Sequence, residues 1–331
     1  MLQDSHGREI RYLRLSVTDR CNLHCIYCNS AETYRLLSHE NVLRYEEMLR
    51  VVRIATKLGI HRVRLTGGEP FARKGCDAFL VALRREFPDL DICITSNGTL
   101  LEPYLPLFKK VGVGTVNLSL DSFDRITFAR MTGKDSLPAV ISSLEGLLQA
   151  GIAVKLNAVA MRGFNDSQMD DFVNIAKKEP LDMRFIEFMP MGQDTVWDQQ
   201  VFWPAKDIIK AVEERVSLTK AERSSRAPGP ARMYSIEGGR GRIGIIAPMT
   251  GHFCNSCNRL RLTSDGNLRT CLFDDREYAL RNMLRHPRIS DATLERAIRH
   301  ATYRKPIGEA LLERQRTGKA VANKAMVGIG G

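Results

Sequence analysis

Short apolar runs alternate with helical patterns from the start of the chain to about residue 190. Six runs rich in β-branched and aliphatic residues have the length of strands, and they span residues 10–17, 61–66, 91–96, 115–120, 152–159 and 183–188. Between them, residues 45–58 place their apolar side chains on one helical face, and Gly59 follows as a C-terminal cap. Repeated strand–helix alternation predicts a parallel sheet with right-handed crossovers. Six units predict an α/β fold, an incomplete (β/α)6 TIM-like barrel.

Apolar and polar residues alternate within each predicted strand. The fifth strand puts Leu156 and Ala158 on one face and Lys155 and Asn157 on the other. Because the apolar faces must cover the helices, we expect the polar faces to line the lumen. The same alternation in the other five strands assigns these residues to the lumen: Arg14, Ser16, Arg64, Thr66, Thr95, Asn117, Ser119, Asp121, Glu187 and Met189.

This polar lumen predicts a ligand. A packed barrel fills its lumen with Val, Ile and Leu, whereas this one collects two arginines and a lysine. Unpaired cations are costly to bury, so we expect a large polar, anionic ligand there. An internal ion pair, such as Lys155 with Asp121 or Glu187, would explain one buried cation but not the whole group of polar lumen residues. The net charge of +11 fits either a nucleotide or nucleic acid and does not choose between them.

The composition changes after the predicted barrel. Residues 219–242 are rich in Ser, Pro, Gly and Arg, which is typical of a linker or mobile loop, and a helical segment follows at about 291–318. We therefore expect two domains, 1–218 and 219–331. The sequence contains no run of about 18 apolar residues that would cross a membrane. The first residues include no apolar signal region, so we expect a cytoplasmic protein.

The eight cysteines are unevenly spaced. In a reducing compartment they do not form a disulfide framework, and two short triplets are typical of metal or cluster ligands. Cys76 and Cys93 stand apart and are expected to be buried thiols. A structural zinc site needs four ligands, whereas three thiolates leave one iron of a [4Fe–4S] cluster open to a small molecule. The two triplets are Cys21, Cys25 and Cys28, and Cys254, Cys257 and Cys271.

The second triplet spans a predicted hairpin. Asp265-Gly266 is a two-residue turn signal, and pairing outward from it sets Cys271 opposite about Leu260, close to the other two thiols. Arg259 and Arg261 share one strand face and could clamp phosphates. A zinc site with His252 as fourth ligand remains an alternative to a second cluster.

The first triplet and its neighbour resemble the radical S-adenosylmethionine (SAM) superfamily, through Cys-x3-Cys-x2-Cys with Tyr27 and through Gly67-Gly68-Glu69-Pro70. Nearly the whole chain resembles one family within it, the GTP 3′,8-cyclases of molybdenum cofactor biosynthesis. The matching motifs include LRLSVTDRCN, RLTGGEP, TSNG, VNLSLD, VKLNAV, RFIEFMPMG and FCNSCNRLRLTSDG. After Cys28 that family has Met-Pro, whereas this chain has Asn29-Ser30.

The resemblance implies a mechanism with two [4Fe–4S] clusters. The first would bind SAM, and the second would bind the guanine of GTP through its open iron. A radical derived from SAM would take hydrogen from the ribose 3′ carbon, which then attacks the guanine 8 carbon. Implied SAM contacts are Tyr27, Gly68, Glu69, Ser119 and Met189. Implied GTP contacts are Arg14, Arg64, Thr95, Lys155, Arg259 and Arg261. Implied catalytic residues are Arg259 and Arg261, together with Gly330 and Gly331 of the terminal tail.

The resemblance also implies partners. These are an electron donor protein and the downstream cyclic pyranopterin monophosphate synthase, with no membrane and no nucleic acid, and a homodimer is compatible with it. Two other functions remain open from the sequence. A radical SAM peptide-modifying enzyme would carry more cysteines after the barrel. A zinc-knuckle RNA-binding protein would carry stacking aromatic residues, for which this region offers only Phe253 and Phe273.

Overall fold

The six expected strands form the centre of one sheet. In the computed structural model, which describes residues 1–28, 35–192, 195–221, 229–315 and 321–330, they are hydrogen-bonded in chain order and are all parallel. The incomplete barrel predicted from the alternation is thereby confirmed. The strands are β1 (Tyr12–Ser16), β2 (Arg62–Thr66), β3 (Asp91–Ser96), β4 (Thr115–Ser119), β5 (Val154–Ala160) and β6 (Asp182–Glu187).

Helices cover the outer face of these strands. The apolar stripe predicted on residues 45–58 is the buried face of the first helix, where Met48 and Val52 have no exposed surface. That helix begins where the backbone N–H of Arg44 donates to the Glu47 carboxylate at 2.6 Å. The six helices are α1 (Tyr45–Lys57), α2 (Cys76–Glu86), α3 (Leu105–Val111), α4 (Arg125–Thr132), α5 (Leu137–Gln149) and α6 (Met169–Lys178).

The C-terminal part of the chain extends the same sheet at both edges. After α7 (Ala205–Glu213), β7 (Leu218–Lys220), β8 (Arg232–Ile236) and β9 (Arg242–Ile246) continue from β6. The prediction of a linker or mobile loop at 219–242 was therefore wrong where β7, β8 and the start of β9 form, because strand pairing overrides the Ser, Pro and Gly content. Residues 222–228 lie outside the described residues. The predicted domain boundary after residue 218 falls within β7 of this sheet.

At the other edge, β10 (Arg259–Leu262), β11 (Asn267–Arg269) and β12 (Tyr278–Ala279) continue from β1. The predicted hairpin is present, with a longer connection than expected. Thr263 N–H donates to Asn267 O at 2.9 Å, and Gly266 adopts a left-handed φ of 81°. This three-residue connection pairs Arg261 with Arg269, which is one residue away from the predicted register.

The tail returns to the mouth of the barrel. The helical segment expected at 291–318 is interrupted at Pro306, which follows the first of its two helices. Beyond it, Val321 N–H donates to Pro190 O at 2.7 Å and Gly192 N–H to Ala322 O at 2.9 Å, so the tail pairs with the loop after β6. The C-terminal helices are α8 (Arg281–Arg285), α9 (Asp291–Tyr303), α10 (Gly308–Gln315) and α11 (Met326–Ile329).

Candidate active site

One cavity at the carboxyl ends of the strands collects both cysteine triplets and the polar lumen. All six triplet cysteines line it, together with Thr95, Asn117, Ser119, Lys155 and Asn157 of the predicted polar faces. This arrangement follows from the parallel sheet, because the carboxyl ends of parallel strands meet at one edge. The cationic side chains that line the cavity are Arg8, Arg14, Arg62, Arg64, Lys155, Arg184, Arg259, Arg261 and Lys305.

Arg184 is a member that the sequence analysis missed. The alternation on β6 was started from Glu187, whereas the pairing of Asn157 with Arg184 puts the even-numbered residues on the lumen face. Glu187 also borders the cavity, but its carboxylate accepts from the backbone of Ala205 at 2.7 Å and of Met249 at 2.9 Å. The strand register, rather than the hydrophobic pattern, identifies Arg184 as a residue that faces the cavity.

The cationic wall carries more positive charge than its surroundings neutralise. Burial and the nearby Arg64 together lower the pKa of Arg184 to about 9, although Asp182 opposes them. The Nε and Nη2 atoms of Arg184 have no hydrogen-bond partner among the described residues. Burial and Arg184 also lower the pKa of Lys155. In the described residues Lys155 forms no salt bridge with Asp121 or Glu187, and the nearby Asp182 offsets the lowering of its pKa only in part. Such a wall favours an anionic ligand.

The first cysteine loop is packed against the Gly67-Gly68 turn. Gly68 N–H donates to Thr18 O and Glu69 N–H to Arg20 O, both at 2.8 Å. A Cβ atom on Gly68 would lie 2.3 Å from Arg20 O, so this contact requires glycine. Burial, Asp121 and the neighbouring thiols raise the pKa of Cys25. A metal centre bound here would therefore have to displace the protons of these thiols.

Glu69, expected as a SAM contact, lies behind the cavity wall and is fully buried. Its carboxylate accepts from the Ser96 hydroxyl at 2.9 Å and from Asn97 N–H at 2.8 Å. Burial raises the pKa of Glu69 to about 7. The residue ties the glycine turn to the end of β3, and it supports the first-triplet end of the cavity without lining it.

The other predicted SAM contacts line the cavity near the first triplet. Gly68, Ser119 and Met189 are in its wall, and Tyr27 donates its hydroxyl to Asp121 Oδ2 at 2.5 Å. Val159 N–H donates to the other oxygen of Asp121 at 2.8 Å. Burial raises the pKa of Asp121 to about 6. This end of the cavity thus holds buried acidic groups. Residues 29–34, which include Asn29-Ser30, lie outside the described residues.

A glycine keeps the space beside the second triplet open. In the described ranges, no three His, Cys, Asp or Glu side chains are arranged to hold a single ion, and His252 does not line the cavity. A Cβ on Gly308 would lie 3.2 Å from the sulfurs of both Cys254 and Cys271, so a glycine leaves the space between these thiols open.

A buried cation accompanies the second triplet. Lys305 is 1% exposed, and its ammonium donates to Arg259 O at 3.0 Å and to Thr270 O. Although burial raises the pKa of Cys257, Lys305 and Arg259 lower it to about 7. A buried ammonium is costly without an anion nearby, so Lys305 favours the thiolate form of Cys257, whereas burial raises the pKa of Cys254 and of Cys271.

The terminal tail enters the same space. Arg261 Nη1 donates to Gly330 O at 3.2 Å, and a Cβ on Gly330 would lie 2.8 Å from Thr66 Oγ1 and from Ser16 Cβ. Gly330 has a φ of 82°, so both the conformation and the space require glycine. Gly331 lies outside the described residues.

Comparison with known proteins agrees with this geometry. Residues 15–176 match the model of the Radical SAM superfamily, and residues 181–311 match that of Molybdenum Cofactor Synthesis C. A GTP 3′,8-cyclase of Syntrophomonas wolfei is 44% identical over 285 residues, 86% of this chain and 87% of that protein. One from Clostridium botulinum is 37% identical over 99% of both chains. The chain belongs to the GTP 3′,8-cyclase family.

Membership makes the chain a radical SAM enzyme, which binds a [4Fe–4S] cluster and SAM. The fold agrees with a solved structure, Streptococcus suis SuiB bound to S-adenosylmethionine, with a TM-score of 0.63 at 14% identity over 97% of this chain and 78% of that one. At that identity the likeness concerns the fold alone. Within the described ranges, no helix has the length and apolar character needed to cross a bilayer.

Proposed function

We propose that this enzyme converts GTP to (8S)-3′,8-cyclo-7,8-dihydroguanosine 5′-triphosphate, the first step of molybdenum cofactor biosynthesis. The observation that carries the proposal is the single cavity into which two cysteine triplets and a wall of cations open. The reaction needs SAM and GTP side by side, and one cavity with different chemistry at its two ends provides for both.

The two ends are matched in charge to these two molecules. Buried acids, Glu69 and Asp121, lie near the first triplet, where the cationic sulfonium and ammonium groups of SAM would sit. The arginines lie on the β1, β2, β6 and β10 strands, where the polyanionic triphosphate would sit. Opposite charges at short range in a buried cavity attract strongly, so the pattern supports this orientation over the reverse one.

At the SAM end, Cys21, Cys25 and Cys28 would hold the cluster, which supplies one electron for the cleavage of SAM when it is bound. Tyr27, Ser119 and Met189 would contact SAM. Gly68 brings backbone close to the ligand, and Glu69 keeps this turn against the end of β3.

At the other end, we propose a second [4Fe–4S] cluster on Cys254, Cys257 and Cys271. The open space beside Gly308 and the buried ammonium of Lys305 support it. With only three thiolates it retains an open iron, which would bind the guanine. The triphosphate would contact the cationic wall, to which the structure adds Arg184 beside the predicted Arg14, Arg64, Thr95, Lys155, Arg259 and Arg261.

The tail and the partners complete the proposal. Gly330 accepts from Arg261 and would hold this arginine toward the substrate, with Gly331 continuing the tail. The product, a labile cyclised nucleotide, would pass to cyclic pyranopterin monophosphate synthase, and an electron donor protein would reduce the clusters. The proposed division at residue 218 separates the SAM-binding strands from the second triplet.

GTP-dependent cleavage of SAM is the test of this function. The anaerobically reconstituted enzyme, reduced with dithionite, should form 5′-deoxyadenosine and methionine together with the cyclised nucleotide when GTP is present. With ATP in place of GTP we expect only background cleavage, measured by chromatography and mass spectrometry. A mass change on a peptide, with none on GTP, would contradict the proposal.

The second cluster has a separate test. The reconstituted enzyme should contain about eight irons per chain, because two centres of four irons are proposed. The Cys257→Ser variant should keep about four irons and its SAM binding but lose GTP cyclisation. Two tightly bound zinc ions in the purified protein, or an iron content unchanged in this variant, would contradict the assignment.

A further inference from the structure

The hydroxyl of Tyr12 lies inside the cationic wall. Tyr12 borders the cavity from β1, and Arg64 Nε donates to its oxygen at 2.5 Å. Arg14 also hydrogen-bonds to the Tyr12 side chain. The guanidinium of Arg62 lies over the ring, 6.0 Å from its centre. Three cations from two neighbouring strands therefore surround one phenol.

Two guanidinium groups at one phenol oxygen favour its ionised form. A hydroxyl oxygen that accepts from a cationic donor is stabilised further when it becomes an anion. Although burial raises the pKa of Tyr12, Arg64, Arg14 and Arg259 lower it below its ordinary value of 10.0, and lowering is the net result. An anion at this position would neutralise part of the wall while no substrate is bound.

We propose that Tyr12 ionises inside the free phosphate site at alkaline pH and that the phenolate takes up a proton from solvent when a triphosphate binds. The inference rests on the proposed function, because it assigns the triphosphate to this wall. No bond other than O–H forms or breaks: phenolate, triphosphate and one solvent proton give the complex with a neutral phenol. Tyr12 is thus a positioning residue that holds Arg64 in place. Its negative charge reduces the repulsion among the cationic side chains of the wall when no substrate is bound.

The pH dependence has a definite sign. Above the lowered pKa the phenolate repels the incoming phosphates, so binding must take up a proton, and affinity falls by up to about tenfold per pH unit. Titration of the ligand itself affects the wild type and Tyr12→Phe equally, so it cancels in the difference between their pH slopes. Lys155 and Arg184, whose pKa values burial lowers, add slopes of the same sign in the wild type and in Tyr12→Phe alike. The titratable and charged groups that face Tyr12 are Arg14, Arg62, Arg64, Cys93, Arg184, Arg259 and Arg261.

The experiment uses inorganic triphosphate, which does not absorb in the near ultraviolet, as the probe for the reconstituted enzyme. At about pH 9, below the ordinary tyrosine pKa of about 10, triphosphate should reduce the tyrosinate absorbance of the enzyme by the equivalent of up to one tyrosine. Calorimetry should give a Kd that rises with pH more steeply in the wild type than in Tyr12→Phe. Since Lys155 is present in both, the difference in slope belongs to Tyr12.

Tyr104→Phe is the matched control, because Tyr104 packs against Phe71 away from the wall and does not line the cavity. It should behave as the wild type in both measurements. Retained triphosphate binding with no loss of tyrosinate absorbance in the wild type would overturn the inference even if Tyr12→Phe did not fold. Equal pH slopes in wild type and Tyr12→Phe would do the same. If neither triphosphate nor GTP bound at any pH, the proposed function itself would fail.

Discussion

The Cys25→Ser variant is expected to lose SAM cleavage completely while it retains its fold. Cys25 is the central thiol of the first triplet and is packed against the hydrophobic core, so the loss of its sulfur removes one of three cluster ligands. Two thiolates do not hold a cubane cluster firmly, and without it no electron reaches SAM. Iron content should fall from about eight to about four per chain, and 5′-deoxyadenosine formation should fall to that of the iron-free protein.

Cys76→Ser is the matched control for this substitution. Cys76 is a buried thiol at the start of α2, and it does not line the cavity, so its replacement should leave iron content and SAM cleavage unchanged. SAM cleavage by Cys25→Ser at more than a few per cent of the wild-type rate would show that this thiol is not a cluster ligand. Circular dichroism of both variants would separate loss of the cluster from loss of the fold.

The Arg184→Met variant is expected to bind GTP about 10- to 100-fold more weakly, since hydrogen bonds to charged groups contribute about 1.5–3 kcal/mol. The same variant should be more stable than the wild type when GTP is absent. Arg184 is 6% exposed, and two of its nitrogens have no partner among the described residues. Methionine fills similar space without a buried charge, so unfolding free energy should rise by about 1 kcal/mol or more. Equilibrium dialysis and thermal denaturation measure the two effects.

Opposite changes in affinity and stability distinguish a ligand-binding role from a structural one. A structural arginine would lose stability and GTP binding together. Arg215→Met is the control, because Arg215 pairs with Asp170 at the surface, far from the cavity lining, and should change neither property by more than a few tenths of a kcal/mol. An Arg184→Met variant that is less stable than the wild type and binds GTP normally would remove Arg184 from the site.

Other arginines of the cationic wall, like Arg184, are expected to favour substrate binding while they lower the stability of the free protein. Burial lowers the pKa of Arg14 to about 10 and also lowers that of Arg261. The free protein therefore carries charges that only an anion can compensate, and part of the binding energy of the substrate removes their repulsion. The carbonyl of Gly330 and the phenol of Tyr12 provide partial compensation until the substrate arrives.

The amino-acid sequence determined the six parallel strands, the hairpin and the membership of each cysteine in its triplet. These features depend on local periodicity, turn residues and spacing, which are properties of short segments. The polar faces of β1 to β5 could be assigned for the same reason, since side chains alternate strictly along a strand. The failure at β6 shows the limit, because a strand with apolar residues on both faces contains no signal that fixes its orientation.

The tertiary structure alone decided which distant groups meet. The register of β6 on β5 turned Arg184 into the cavity, and the pairing of β10 with β1 brought Arg259 and Arg261 beside Arg14. Three further features depend on tertiary contacts in the same way. Glu69 lies behind the cavity wall, Lys305 lies beside the second triplet, and Gly330 contacts Arg261 in the barrel. Each depends on contacts between segments far apart in the chain, whose free energy no local pattern encodes. Short motifs in the sequence predicted the chemistry at each end of the cavity. The cavity that brings the two cysteine triplets together forms only when the chain folds.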